Sequence, residues 1–238
     1  MPDLRIVVWN VEWKPPSSRR GRLIRDIIEK ELPDIVFLTE AYSGTLPLNE
    51  AASAADYGYP LLEGRRKALM YSRESWVRVE RYDETEMPPG RCVTGLTNVK
   101  EAKLWCCGVC VPWKMAHVAT GGRNRRPWEE HRRFLDALRM LFKNAFPRMP
   151  VILAGDFNQT VPNLRAPADC HHALQEVSGH LRCVTSGLLP GASHHDVDHV
   201  FVSPHFEVSD LRALPNLASD GKPLSDHLGI SLGLNFRV

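Results

Sequence analysis

Asp156 and Asn158 are the residues whose types and spacing most directly suggest chemistry in this sequence. They follow the apolar run 151–153, which is typical of a buried strand, and Gly155 allows the backbone to turn sharply. Because residues i and i+2 of an extended chain point to the same side, the two side chains are expected to lie together. A carboxylate can bind a metal ion or take a proton from water, and a carboxamide can orient that water. Asp and Asn also form turns, so this interpretation depends on the rest of the chain.

Two more polar residues are predicted at the ends of neighbouring strands near the N-terminus. The apolar segment 4–9 ends at Asn10, and the apolar segment 34–39 ends at Glu40. Between them, residues 18–32 carry apolar side chains at helical spacing and are predicted to form a helix. A right-handed crossover between parallel strands brings equivalent strand ends side by side. Asn10 and Glu40 are therefore expected to be neighbours.

The remaining apolar runs predict a strand-rich chain. Residues 67–72 and 76–82 are predicted to form a hairpin, and residues 51–55 are small and helix-prone. A long helix is predicted from Pro127 to about residue 145, and a short one around 169–176. Further strands are predicted at 92–99, 103–111, 181–185, 198–203, 206–214 and 228–236. This order indicates two packed sheets with helices outside, in a single domain spanning residues 1–238.

The composition is ordinary for a soluble globular protein. Of 238 residues, 43% are hydrophobic and 24% are charged, and the formal net charge is +2. This charge provides no global field that attracts nucleic acid, so any basic surface must be local. The N-terminus lacks a basic region followed by an apolar run, and no apolar stretch reaches about 18 residues. We therefore expect a cytoplasmic protein without a signal peptide or a membrane span.

Six cysteines are present, and Cys107 and Cys110 have the CxxC spacing of some metal and redox sites. Both lie in a predicted strand, where residues three apart face opposite sides of the sheet. We therefore expect buried apolar thiols rather than a site.

Two further motifs, Asp198-His199-Val200 and Ser225-Asp226-His227, follow Asn10, Glu40 and the Asp156/Asn158 motif along the chain. In this order the chain resembles the endonuclease/exonuclease/phosphatase superfamily, which includes abasic-site endonucleases, pancreatic-type deoxyribonucleases, deadenylases, sphingomyelinases and inositol-polyphosphate phosphatases. The resemblance covers residues 5–232. It implies an α/β fold, a four-layer α/β/β/α sandwich in which two mixed β-sheets pack face to face with helices outside.

The resemblance also implies hydrolysis of a phosphate ester with a divalent metal, usually magnesium, with manganese as a substitute. Glu40 is the main metal carboxylate in this interpretation, Asn10 lies beside it, and Asp226 is a further acidic residue near the metal. Oxygen ligands of this kind are the ones that magnesium prefers.

Four residues receive catalytic roles from the same resemblance. Asp156 positions or deprotonates the attacking water, and Asn158 supports it. His227 contacts the scissile phosphate, and Asp198 orients His227. The reaction itself requires such groups, because an in-line water needs a base within hydrogen-bond reach and the phosphoryl oxygens need a preorganised donor.

Two departures from the family pattern bear on the substrate. Thr39-Glu40-Ala41 stands where abasic-site endonucleases carry Gln-Glu and a basic residue, and Cys110 replaces a tyrosine that contacts phosphate. These differences argue against a dedicated DNA-repair enzyme while leaving the hydrolytic residues intact.

The substrate-binding candidates are basic and aromatic. Arg123, Arg125 and Arg126 form the densest basic segment, and they are predicted to hold a polynucleotide backbone or else to be solvated. Trp13 and Trp113 each follow a site strand, so they either stack a base or pack on the rim of a sheet.

Three functions follow from these residues. We favour a nuclease that cleaves phosphodiester bonds, as an endonuclease or an exonuclease, with nucleic acid as its partner and no membrane or obligate protein partner. The first alternative is a phosphatase or phosphodiesterase acting on a lipid or small molecule. The second is a degenerate relative that only binds nucleic acid or protein, although Glu40, Asp156 and His227 are all retained.

The stretch His194-His195-Asp196 resembles a zinc cluster, and we interpret it as a solvated loop.

Overall fold

A computed structural model describes residues 2–47, 53–56, 64–82, 87–145 and 149–237. Its helices are α1 (Arg19–Lys30), α2 (Glu129–Ala145) and α3 (Ala168–Ser178). Its strands are β1 (Leu4–Asn10), β2 (Ile35–Tyr42), β3 (Ser53–Asp56), β4 (Arg65–Ser72), β5 (Trp76–Arg81), β6 (Cys92–Val99), β7 (Ala102–Cys110), β8 (Val151–Asp156), β9 (Arg182–Cys183), β10 (Asp198–Val202), β11 (Phe206–Ala213) and β12 (Ile230–Phe236).

These strands form two mixed six-stranded sheets. The first has the order β11-β12-β1-β2-β4-β3, and the second has the order β5-β6-β7-β8-β10-β9. Each contains one parallel pair, β1 with β2 and β7 with β8, among antiparallel neighbours. The two sheets therefore resemble each other in their centre, and both parallel pairs deliver strand ends to one edge of the sandwich.

The sheets pack face to face, and helices cover their outer faces. Ile6 and Phe37 of the first sheet share a buried cluster with Ile152 and Val200 of the second. On the outer face of the first sheet, the apolar side of α1 packs against β1 and β2. On the outer face of the second, α2 and α3 pack against β7 and β8. The predicted four-layer sandwich is thus confirmed, and strands that are apolar on both faces are its physical cause.

The first strand–helix–strand unit has the predicted form. The hydroxyl of Ser18 accepts a hydrogen bond from the Gly21 backbone N–H at 3.0 Å and caps α1. The parallel register of β1 and β2 pairs Asn10 with Thr39, so Glu40 follows directly. Asn10 and Glu40 therefore come from adjacent strands at the same edge, as expected.

Two local predictions were wrong. Residues 67–72 and 76–82 do not form a hairpin, because β4 joins the first sheet between β2 and β3 whereas β5 pairs with β6 in the second. Residues 53–56 form a strand against β4 rather than a helix, and residues 51–52 lie outside the described part. Short connections and small residues carry no information about which sheet a strand will join, so long-range pairing decided both cases.

Two smaller findings complete the fold. All six cysteines are free thiols, and Cys107 packs against the helices outside the second sheet whereas Cys106 lies between the sheets. In the ranges that the structure describes, no helix combines the length and the apolar character needed to cross a membrane.

Candidate active site

The predicted catalytic residues meet at one edge of the sandwich, where both sheets end. Asn10 ends β1, Asp156 ends β8, and Asp198 begins β10 as the direct cross-strand partner of Asp156. The loop before β12 supplies His227. The side-chain amide of Asn10 donates to Asp156 Oδ2 at 3.0 Å, and this buried bond joins the first sheet to the second.

The carboxylate of Asp156 is held on both oxygens. Its Oδ1 accepts from the Asn158 backbone N–H at 2.8 Å, and its Oδ2 accepts from the side-chain amides of Asn158 and Asn10, both at 3.0 Å. Asn158 also donates to the Val111 carbonyl at 2.9 Å. These contacts fix the orientation of a buried carboxylate, which is what a general base requires.

The backbone reaches this arrangement differently from the sequence-based prediction. Asn158 does not follow in extended conformation but adopts a left-handed one with φ of 51°, which turns its side chain back onto Asp156. Gly155 does not make a turn either. It pairs within β8 with φ of 137°, and a Cβ there would lie 2.0 Å from the Val109 carbonyl oxygen. Gly155 is required because two strands approach closely at that point.

His227 is held by Asp198 and by its own loop. Its Nδ1 lies 2.5 Å from Asp198 Oδ2. Its backbone carbonyl accepts from the indole N–H of Trp9 at 3.1 Å and from Asn216 at 3.0 Å. Ser225 anchors the same loop to the end of β1 by donating to the Asn10 carbonyl at 2.6 Å. His227 therefore has a fixed orientation relative to both sheets.

Electrostatics make His227 a cation and Asp156 a stronger base. Burial acts to lower the pKa of His227, but the charge and hydrogen bond of Asp198, together with Asp156 and Asp196, raise that pKa to about 11. Burial raises the pKa of Asp156, and the charge of Glu40 adds to this, while His227 opposes it. Burial likewise raises the pKa of Asp198. A protonated His227 leaves Nε2–H as a donor directed away from Asp198.

Asp196 is a site residue that the sequence analysis missed. We expected a solvated loop at residues 194–196, but Asp196 is buried. Its Oδ1 accepts from the Val197 and Asp198 backbone N–H groups at 2.7 and 3.3 Å, and its Oδ2 accepts from the Leu228 N–H at 3.2 Å. Asp196 thus ties the start of β10 to the His227 loop. Only its position two residues before Asp198 could have indicated this role.

Lys67 is a second missed residue, and it changes the interpretation of Trp13. Its ammonium group forms an ion pair with Glu40 and lies 4.9 Å from the centre of the Trp13 ring. Arg65 lies 5.0 Å from the same ring centre. Trp13 therefore lies beside the Lys67–Glu40 ion pair and contacts cations of the chain, and we assign it to holding Lys67 against Glu40.

A divalent metal ion fits the oxygen donors near Glu40. The charge of Glu40 contributes to the raised pKa of Asp156, and a cation near the two carboxylates would stabilise the charged form of both. The Glu40 carboxylate is paired with the Lys67 ammonium group, which a bound metal ion would have to share or displace. Asn10 adds a carboxamide oxygen, and Asp226 adds a carboxylate whose side chain is 65% exposed and lies 3.9 Å from His227 Nε2. These are hard ligands of the kind that bind magnesium.

Asp156, Asp198 and His227 have ligand atoms within 4.8 Å of one another. We assign this cluster to catalysis rather than to metal binding. His227 Nδ1 is committed to Asp198, and a pKa of about 11 keeps the imidazole protonated at neutral pH. A protonated imidazole has no lone pair for a metal.

The candidate substrate residues lie at different distances from this centre. Trp113 lines a cavity next to Asn158, and Arg126 lines an adjoining one. Arg125 is drawn into ion pairs with Glu130 at 3.1 Å and Glu129 at 3.6 Å. Arg123 is exposed. Trp113 thus lies beside the site, Arg126 lines a neighbouring cavity, and the charge of Arg125 is compensated by α2.

A buried network behind Asn158 was also missed. Gln159 donates to His131 Nε2 at 3.0 Å, and its backbone carbonyl lies 3.0 Å from His199 Nε2. His131 Nδ1 lies 2.8 Å from the Pro112 carbonyl, and His199 Nδ1 lies 3.1 Å from the Thr185 hydroxyl. Both rings satisfy these partners in the neutral form, and burial lowers the pKa of each to about 4.

These two histidines predict a pH dependence of stability. The unfolded chain binds both protons near pH 6.5, whereas the folded chain binds them only near pH 4. The contribution of the two neutral histidines to the free energy of unfolding is therefore complete above pH 6.5. It is lost as the pH falls from 6.5 to about 4. The expected loss is on the order of 3 kcal/mol for each histidine, measured by urea unfolding at several pH values.

His131→Asn is the informative variant, because its amide retains a donor for the Pro112 carbonyl while removing the titrating ring. It is expected to lower stability at pH 7 and to flatten the pH dependence. The exposed His180→Asn serves as the control and should leave the slope unchanged. An unaltered slope in His131→Asn would show that the buried network is not the cause.

Comparison with known proteins agrees with this fold. The model of the Endonuclease/Exonuclease/phosphatase family matches residues 7–227, and the chain belongs to this family. Members of the family are hydrolases acting on phosphodiester bonds. A search of curated protein sequences finds no significant match.

Several solved structures share the fold. A D. rerio TDP2 humanized by 14 mutations is 18% identical with a TM-score of 0.72, covering 98% of both chains. D. rerio TDP2 complexed with a single-strand DNA product is 17% identical with a TM-score of 0.68, again covering 98% of both chains. The human Nocturnin catalytic domain with bound sulfate is 16% identical with a TM-score of 0.70, covering 100% of this chain and 96% of that one. At these identities the likeness shows the fold.

Proposed function

We propose that this protein is a magnesium-dependent hydrolase that cleaves phosphodiester bonds, and that its substrate is a nucleic acid. One observation carries the proposal: a buried carboxylate of raised pKa, Asp156, lies with the imidazolium of His227 where the two sheets meet. A base for water and a donor for a phosphoryl oxygen are the two protein groups that this reaction needs.

The metal would be held by Glu40, with Asn10 and Asp226 as the other oxygen donors. When bound, a divalent metal ion neutralises the negative charge that grows on the phosphoryl and leaving-group oxygens. Manganese offers similar chemistry with oxygen ligands. Lys67 keeps the Glu40 carboxylate in place.

Asp156 takes the proton from the attacking water. Asn10 and Asn158 prevent its carboxylate from rotating, so the free lone pair keeps one direction. Burial disfavours the charged form of this carboxylate, and a raised pKa brings a general base closer to the working pH.

His227 donates from Nε2 to a non-bridging oxygen of the phosphate. Asp198 fixes the ring through Nδ1 and keeps it charged, so the donor is present before the substrate arrives. Losing a preorganised donor of this kind costs about 3 kcal/mol of transition-state stabilisation.

Two observations support a nucleic acid as the substrate. Trp113 lines a cavity that includes Asn158 of the catalytic centre, and Arg126 lines a neighbouring cavity that shares Trp128 with it. Among proteins of the same fold, D. rerio TDP2 was captured with a single-strand DNA product. A lipid or small-molecule phosphate ester is the rival substrate.

A substrate panel tests the proposal. Purified protein is incubated with single-stranded DNA, duplex DNA, RNA, bis-p-nitrophenyl phosphate and inositol phosphates, with magnesium, manganese or a chelator. We expect metal-dependent cleavage of the small diester and faster cleavage of at least one polynucleotide. Hydrolysis of inositol phosphates alone would overturn the nuclease assignment, and no hydrolysis of any phosphodiester would overturn the whole proposal.

A further inference from the structure

A cavity of about 640 Å³ opens directly beside the catalytic centre. Asn158, which holds the catalytic carboxylate, forms part of its wall. The residues that line it and matter here are Trp113, Lys114, Trp128, Leu164 and Arg165. A ligand that occupies this cavity would therefore be continuous with a phosphate at the site.

The cavity walls carry unusually exposed apolar side chains. Trp113 is 40% exposed and Leu164 is 58% exposed. Trp128 is half-buried and packs edge-on against His131, with ring centres 5.0 Å apart. His131 itself is buried and bonded to Gln159. Trp128 thus has a fixed orientation, and these side chains together form an apolar surface at the mouth of a polar site.

The cavity shares the wall residue Trp128 with a second cavity, and we treat the two together as one groove. This second cavity, of about 440 Å³, is lined by Trp128 and by Arg126, Arg132 and Arg133. Because Trp128 lines both cavities, its indole lies at the boundary between them. The groove therefore leads from Asn158 past two tryptophans to arginines at the start of α2.

Some basic side chains of this groove are paired with acidic residues, and others are not. Arg132 pairs with Asp136 and with Asp169, and Glu129, the other acidic residue of the second cavity, pairs with Arg125. Lys114, Arg126 and Arg165 differ, because their side chains have no partner within the part of the chain that the structure describes. Free cations interleaved with aromatic rings are complementary to a chain of phosphates and bases.

We infer that this groove binds a single-stranded polynucleotide segment next to the scissile phosphate, with Trp128 and Trp113 stacking its bases. This inference rests on the proposed function and specifies its substrate. A recessed indole can stack only on a base whose face is free, and duplex base pairs cover both faces. Lys114, Arg126 and Arg165 hold the backbone phosphates. Trp13 takes no part, since Arg65 and Lys67 lie over its ring.

Binding to the inactive Glu40→Gln form tests the inference without cleavage. Labelled single-stranded and blunt duplex DNA of equal length are compared by fluorescence anisotropy. We expect the single strand to bind more tightly. Trp128→Leu should weaken single-strand binding by about tenfold, as expected for the loss of one stacked base, and should lower the ratio of single-strand to duplex affinity. Trp128→Phe keeps an aromatic platform and should retain most of the affinity.

Charge variants give a second readout that does not depend on the tryptophan. Arg126→Gln combined with Arg165→Gln should make the slope of log affinity against log salt shallower by roughly 1.4 units for a single strand. The exposed Arg237→Gln, at the opposite end of β12 from the site, is the matched control and should leave the slope unchanged. Thermal unfolding of every variant confirms that it is folded.

Two sets of results separate this inference from the proposed function. If the wild-type protein hydrolyses a small diester but duplex binds as tightly as single strand, or Trp128→Leu leaves the affinity ratio unchanged, the groove assignment is wrong and the hydrolase assignment stands. If no diester is hydrolysed while the single strand still binds through Trp128, the hydrolase assignment fails instead. Binding of phospholipid vesicles without oligonucleotide binding would also overturn the groove assignment.

Discussion

Glu40→Gln is expected to abolish turnover while leaving the protein folded. The substitution keeps the size of the side chain and the backbone bond from the Trp13 N–H to the Glu40 carbonyl, which spans 2.7 Å. It removes the charge that binds Lys67 and would bind the metal. Removing the main metal carboxylate should lower kcat by roughly a thousandfold or more, because metal stabilisation acts on the charge of the transition state.

Metal binding provides a readout of Glu40→Gln that is independent of activity. A ligand that binds only the folded state raises the midpoint of thermal unfolding by mass action. Magnesium should therefore stabilise the wild-type protein, and it should stabilise Glu40→Gln much less. Glu207→Gln, at an exposed position of β11, is the control and should behave like the wild type. Unchanged turnover of Glu40→Gln at limiting magnesium would show that Glu40 is not a ligand of the metal.

His227→Ala is expected to lower kcat by several orders of magnitude. The imidazolium is the fixed donor to the phosphoryl oxygen, and its loss also leaves the buried carboxylates of Asp156 and Asp198 without the neighbouring positive charge that stabilises them. Because the donor acts mainly in the transition state, kcat and kcat/KM should fall together.

Asp198→Asn should be less damaging at neutral pH and should change the pH profile. Asp198 is the largest cause of the raised pKa of His227, which is about 11 in the wild type. Without that carboxylate the pKa of His227 falls, so the protonated donor is lost as the pH rises through the lower value. The activity of Asp198→Asn should therefore decline at a lower pH than that of the wild type. A harmless His227→Ala together with an inactive Asp198→Asn would show that these roles are wrongly assigned.

Several candidate site residues could be predicted from the sequence because they stand at or near the end of an apolar strand. Asn10 and Glu40 belong to a local strand–helix–strand unit, whose geometry follows from chirality and chain connectivity. Asp156 and Asp198 follow the same rule on the second sheet. The motif order that these residues form was enough to indicate the fold and the family.

The residues that support them could not be predicted, because their roles depend on contacts between distant segments. Lys67 was placed in a hairpin, yet β4 joins the first sheet and brings it to Glu40. Asp196 looked like part of a solvated loop, yet it is bonded to the backbone of the His227 loop at Leu228. Trp128 gave no signal in the sequence, since only the packing of α2 against the Asn158 segment creates the cavity that it lines.

The most direct test of the account is the hydrolysis of bis-p-nitrophenyl phosphate by the wild-type protein and by Asp156→Asn, each with magnesium and with a chelator. This small diester probes the catalytic centre without the groove. Asn keeps the size of the side chain but is a far weaker base than a carboxylate. We predict turnover by the wild type with magnesium, none with the chelator, and a loss of several orders of magnitude in Asp156→Asn. Turnover by Asp156→Asn equal to that of the wild type, or wild-type turnover that survives the chelator, would contradict the account.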